Sequence, residues 1–210
     1  MRRWYPIAVI VAAGSFAFWA HGRLPDRLPV HWGLHGEVNG WGSKISVTLG
    51  MPLLCAAFWA LLNGVRRTDP RRDNYEKFSS SFDLIVAASV TLIAAMEFVT
   101  IGAALGWRIP VERVAPACIG LFLIAIGNVF PRLRSNWFIG IRTPWALSDD
   151  RVWERTQRVA GYGLVLAGVL LVLSAAVPSV FDARIGIVAT VAAATIAVIY
   201  SAVVALNSDS

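Results

Sequence analysis

The run FDLIVAASVTLIAAMEFVTIGAALG, residues 82–106, holds only two charged side chains, Asp83 and Glu97. As a helix rising ~1.5 Å per residue it is ~37 Å long, more than the ~30 Å hydrocarbon core of a bilayer. Five further apolar runs lie at 4–20, 45–62, 114–130, 160–177 and 185–206, the 17-residue ones being at the short end for a crossing. With 57% hydrophobic and 15% charged residues, a 210-residue chain has too little polar surface to enclose itself in water. The fold class expected is all-α: a polytopic integral membrane protein with six transmembrane helices.

Arginine and lysine orient it. The N-terminal segment and the loops at 63–81 and 131–159 carry 13 of the 19 basic residues. The richer side faces the cytosol, so both ends are expected inside. Arg2 and Arg3 precede the first run without a small-residue cleavage pattern at Phe18-Trp19-Ala20, so the run reads as an uncleaved anchor. The chain divides into a helix pair at 1–62, with an extracytoplasmic loop at 21–44, and a four-helix region at 63–210, with a cytoplasmic loop at 131–159. The net charge of +6 is spread among loops as orientation requires, so no direct nucleic-acid binding is expected; the partner is the bilayer itself. Cys55 and Cys118 fall inside apolar runs and read as small buried hydrophobes.

The loop at 131–159 is the least loop-like stretch of the chain. Asn136-Trp137-Phe138-Ile139-Gly140-Ile141-Arg142-Thr143-Pro144-Trp145-Ala146-Leu147-Ser148 carries aromatic residues where a plain connection is small and polar. Trp137, Trp145 and Trp153 suit a membrane–water boundary, each ring in acyl chains and each indole N–H in the headgroup layer. Arg142 can send its guanidinium outward along an apolar surface. Pro144 keeps Thr143 out of the helical region, and Ser148 or Asp149 can cap a helix that continues into the fifth run. Gly161, Gly163 and Gly168 then offer small surfaces for close helix packing.

Gly127-Asn128, the run from Asn136 to Trp145, Val152-Trp153 and Thr156-Gln157-Arg158 together resemble the signature of the SdpI family of bacterial membrane proteins. Ala146 stands where a threonine is usual there, and Gln157 where a histidine is usual. The outer loop at 28–44, with His31, Trp32, Gly36, Glu37, Gly40 and Lys44, is similar to the extracytoplasmic motif often found in that family, Gly33 replacing a polar residue. The resemblance implies an immunity and signalling protein of the bacterial cytoplasmic membrane. It would protect against a secreted antimicrobial toxin met on the outer face and hold an ArsR-like repressor on the inner one. Asn136, Trp137, Gly140, Arg142, Thr143, Pro144, Trp145 and Trp153 would then be partner-binding or signalling residues.

The remaining polar residues give narrower expectations. His31 and His35, with Glu37 nearby, are read as packing in a turn-rich loop rather than as metal ligands, since Gly33 and Gly36 oppose a helix that would align them. The charged stretch 66–77 reads as a topology anchor, or else a docking surface for a soluble partner. Asp83 can pair with Arg132, Arg134 or Arg142. Glu97, ~21 Å further along the helix, lies deep in hydrocarbon and is either functional or a satisfied structural carboxyl. Asn128 can hydrogen-bond across to another helix. Pro52 bends the second run, while Pro116 falls in the first turn of the fourth. No set of nucleophile, base and metal converges, so neither catalysis nor a cofactor is expected. A small transporter or channel is the runner-up, and a homo-oligomer is compatible with either reading.

Overall fold

The computed structural model describes residues 4–207; the Arg2-Arg3 pair and the tail from Ser208 to Ser210 lie outside them. Among the described residues, five helical stretches are long and apolar enough to cross a membrane: Lys44–Thr68, Ser79–Ala104, Val111–Arg132, Asp150–Ala176 and Ala183–Leu206. Tyr5–His21 is apolar too, but shorter at 17 residues. The chain is mostly helical, with the makeup of a multi-pass membrane protein. Phe18, Val188 and Leu206 turn outward from the bundle, as lipid-facing side chains do.

Helix α1 (Tyr5–His21) carries Pro6 in its first turn, where the missing N–H costs nothing. It is followed by strands β1 (Arg27–Trp32) and β2 (Val38–Ser43), which pair antiparallel with register shifts after Pro29 and His31. This hairpin corrects the wholly helical reading of the chain. Leu28 alternates inward and is fully buried against Ala17, Ala20, Leu24, Val47 and Ile101, which fastens the hairpin to the helix ends. Gly36 makes the turn at φ +83°, and Gly40 lets the strands close, since a Cβ there would lie 2.7 Å from His31 Cβ.

Ser43 caps the short helix α2 (Lys44–Thr48). The helix breaks at Leu49 before α3 (Gly50–Thr68), because Pro52 has no N–H to give to the turn below. The brief α4 (Asn74–Lys77) leads into α5 (Ser79–Ala104) and then α6 (Val111–Val129). Helix α6 begins earlier than the apolar run, on charged residues, so Pro116 sits inside it and not in its first turn. Asp83 faces Arg66 at 4.0 Å rather than Arg132, Arg134 or Arg142, because α5 enters beside the end of α3.

After a 3-10 turn at Phe130–Arg132 come α7 (Pro144–Ser148), α8 (Asp150–Ala176) and α9 (Ala183–Leu206). Glycines bring α6 and α8 into backbone contact: a Cβ on Gly120 would stand 2.6 Å from Gly168 O, and one on Gly127 2.8 Å from Gly161 O. Gly163 does the same for α8 and α9, where its Cβ would meet Ala193 Cβ at 2.6 Å. The expectation for Gly161, Gly163 and Gly168 therefore holds; glycines on α6 face the first and last of them, and Ala193 on α9 faces Gly163. Trp153, Tyr75, Phe82, Leu133 and Ala146 form a second core at the far end from the hairpin.

Candidate partner-binding strip

Residues 133–149 lie over this second core. Thr143 is extended at φ −72°, ψ 153°, as Pro144 requires, and its hydroxyl accepts from Ala146 N at 3.3 Å to cap α7. Asp149 caps α8, its Oδ1 accepting from Arg151 N at 2.6 Å and Val152 N at 3.3 Å. Helix α8 runs unbroken from there through the fifth apolar run. Ala146, where the family resemblance leads one to expect threonine, is fully buried in the apolar cluster beneath.

Two buried side chains organise the backbone. Asn136 Oδ1 accepts from Phe138 N at 3.0 Å and Ile139 N at 2.7 Å, while Nδ2 donates to Arg134 O at 2.9 Å and Ile139 O at 3.0 Å. Asp69, 2% exposed, accepts on Oδ2 from Tyr75 OH and from Trp137 N, both at 2.9 Å, and on Oδ1 from Arg71 N at 2.7 Å. Burial, then the hydrogen bond and charge of Asp69, push the Tyr75 phenol above its ordinary range, so it stays a donor. Arg71 reaches Ser135 Oγ and donates to Leu147 O at 2.7 Å; Asn74 Nδ2 donates to Ser135 O at 2.8 Å. The stretch 66–77 thus brackets the strip internally, a role its charge density concealed.

Gln157, at the second departure from the family pattern, closes the cage from α8. Its Oε1 accepts from Ile141 N and its Nε2 donates to Ile141 O, each at 2.9 Å, as a neighbouring strand would. Gly140 at φ +111° permits the approach, for a Cβ there would stand 2.7 Å from Gln157 Oε1.

The three tryptophans do not share one fate. Trp153 is 1% exposed and donates to Leu133 O at 2.8 Å, and Trp145, half-buried, donates to Ser201 Oγ of α9 at 2.7 Å. Only Trp137, 50% exposed, fits the expected boundary position. The other two indoles are drawn inward by acceptors just after the 3-10 turn and on α9. Trp137 and Phe138 stand out beside the exposed Arg142, whose Nη1 donates to Trp137 O at 2.7 Å. A hollow of about 430 Å³ bordered by Trp137, Arg142, Leu147 and Val198 opens there. Such a surface can take an acidic or carbonyl-rich partner edge; among the described residues Arg142 has no ion pair.

Elsewhere the expected residues scatter. At the hairpin His31 Nδ1 meets Asn39 Oδ1, Glu37 Oε2 accepts from His35 N at 3.1 Å, and Lys44 pairs with Asp26 at 3.0 Å. Trp32 is half-buried and Gly36 and Gly40 hold the turn and the strand contact. Among the described residues no three His, Cys, Asp or Glu gather as a metal site would need. Asn128 is exposed and, among the described residues, makes no bond across to another helix. Glu97 is fully buried on α5, and neither carboxylate oxygen has a hydrogen-bond partner among the described residues.

Asp69, Arg71, Tyr75 and Ser201 carry the strip without having been expected from sequence. The one available signal was a buried-type Tyr75 and an Asp69-Pro70 stop inside an otherwise solvated stretch.

Residues 132–205, from the 3-10 turn through α9, match the SdpI/YfhL protein family. The resemblance covers the strip and the two helices that follow it. Residues 8–56, spanning α1, the hairpin and the start of α3, match a domain of unknown function, DUF1648. Immunity protein SdpI of Bacillus subtilis (strain 168) is 22% identical over 167 residues, which cover 79% of this chain and 78% of that protein. No solved structure matches. The segment similar to that family takes in the strip, its Gln157 clamp and Ser201, but leaves out Asp69, Tyr75 and Glu97.

Proposed function

We propose that the chain is an SdpI-like immunity protein of the bacterial cytoplasmic membrane, protecting its host from a secreted antimicrobial toxin. The observation that carries this is the exposed Trp137–Phe138–Arg142 platform, lying in the SdpI-family segment and fixed from below by Asn136, Asp69 and Gln157. In this reading α1 is the sixth crossing, at ~25 Å, with Trp4 and Trp19 near its ends as interfacial anchors. Both termini lie in the cytosol, following the bias of arginine and lysine. The hairpin then faces outward, where the toxin is met, and the strip faces inward. There it holds an ArsR-like repressor, whose acidic or carbonyl groups Arg142 receives. Toxin can switch that surface only by binding one arrangement of the helices more tightly than the other. No catalytic step is assigned to any residue.

The test is survival of toxin-sensitive cells expressing the protein. Arg142→Ala is expected to abolish protection or repressor recruitment at unchanged membrane abundance, because its side chain projects from a backbone held by other residues. Loss of the protein itself from the membrane would make Arg142 structural and remove the site. A second reading, a small transporter, is favoured by one observation: the carboxyl of Glu97 is wholly enclosed and unpartnered among the described residues, as a group that takes up a cation or proton would be. Ion flux in liposomes that disappears in Glu97→Gln would establish it; absence of flux leaves the immunity reading.

A further inference from the structure

At the strip's end of the bundle, the start of α1, the end of α3 and the start of α5 enclose a cavity of about 680 Å³. Arg66, Arg67 and Arg72 line it, and so do Asp73, Glu76 and Asp83. Their mutual pairing is loose. Arg66 is 4.0 Å from Asp83, and Arg72 is 3.9 Å from an Asp73 whose side chain is wholly exposed. Among the described residues Arg67 and Glu76 form no ion pair. The exposed Arg72–Asp73 pair contributes little to stability, and charges paired this loosely remain available to a ligand.

A second hollow, of about 270 Å³, adjoins the first. Ala87 borders both, and Tyr5 lines the second while Pro6 and Ile7 line the first. The second is apolar, a groove between α5 and α6 whose floor is kept open by Ala88, Ala95 and Ala125. Tyr5 OH holds its α1 wall to Thr91 Oγ1 at 3.0 Å. From Leu84 to Ala95 the groove follows ~16 Å of helix. Half of a hydrocarbon core is ~15 Å.

We propose that cavity and groove form one site for a phospholipid whose headgroup carries both a phosphate and a primary ammonium. The phosphate lies against Arg66, Arg67 and Arg72, whose planar N–H pairs match its oxygens. The ammonium donates to Glu76, Asp73 and Asp83, and one acyl chain fills the groove. The joined lining discriminates among lipids. A head that is only anionic leaves the three acids facing like charge, and a quaternary amine has no N–H to donate to them. The site goes beyond the immunity reading and does not depend on it.

The test uses the full chain, stripped of lipid in detergent, titrated with palmitoyl-oleoyl phosphatidylethanolamine, phosphatidylglycerol and phosphatidylcholine and read by native mass spectrometry. One lipid is expected to bind, phosphatidylethanolamine most tightly. Arg67→Gln, at an exposed residue without an ion pair, is expected to weaken phosphatidylethanolamine and phosphatidylglycerol alike, by about tenfold. Glu76→Gln is expected to weaken phosphatidylethanolamine alone, and Ala88→Leu to lower occupancy by all three with an unchanged circular dichroism spectrum. Phosphatidylglycerol binding as well as phosphatidylethanolamine, or Arg67→Gln binding like the parent protein, overturns the proposal. Toxin survival assays do not read this site, so its failure and that of the immunity function are separable.

Discussion

The strip and the hairpin, at opposite ends of the bundle, are both connections that carry aromatic residues, yet they are held by different forces. The hairpin is fastened by strand pairing and one apolar plug, Leu28, with its polar side chains exposed. The strip has a polar interior. Asn136, Asp69 and Gln157 are nearly or fully removed from solvent and spend their hydrogen bonds on backbone that no neighbouring strand or helix satisfies. A plug fixes position and tolerates twist, whereas bonds to successive backbone groups fix conformation. The strip is built the second way.

The comparison breaks most visibly at Asn136. Asn136→Ala removes four backbone partners at once in a site closed to water, a loss of about 4 kcal/mol when stranded donors and acceptors are counted. Thermal unfolding in detergent should register it, with limited proteolysis newly cutting between 136 and 148 while the hairpin stays intact. Cutting at the hairpin instead would show that the two ends are not independent.

Leu28→Ala is the matching break at the other end. Emptying a fully buried leucine site costs about 3 kcal/mol. Proteolysis should now open the turn at 33–36 and spare the strip. The fluorescence of the half-buried Trp32 should shift toward the exposed range, while Trp153, buried beneath the strip, keeps its environment.

What could be read from sequence differs between the ends in the same physical sense. Apolar length is a property of each segment alone, so the run at 185–206 anticipates α9 (Ala183–Leu206) within two residues. Asp149 as cap and Thr143 as the extended residue before proline are likewise local. The hairpin was missed because its alternation is interrupted by Pro29 and by glycines that look like loop, although they serve strand contact. Trp153 and Trp145 were placed at the lipid boundary because composition cannot tell an indole bonded to water from one bonded to Leu133 O or Ser201 Oγ. Asp69 lies 68 positions from the Trp137 N–H it accepts. No local pattern joins those two.

Gln157 gives the smallest effect and the sharpest distinction. Its carboxamide sets an acceptor and a donor side by side, which is why it meets both Ile141 N and Ile141 O. An imidazole carries its two nitrogens on different edges and can serve only one of these groups in the same pose. Gln157→His, toward the residue the family resemblance leads one to expect, should therefore cost about 1 kcal/mol. It should leave the strip assembled, because Asn136 and Asp69 still hold it. Amide exchange at Ile141 should accelerate while exchange at Phe138 and Ile139, bonded to Asn136, stays slow. If all three amides accelerate together, the strip is one cooperative unit and the separate roles given to Asn136 and Gln157 collapse into one.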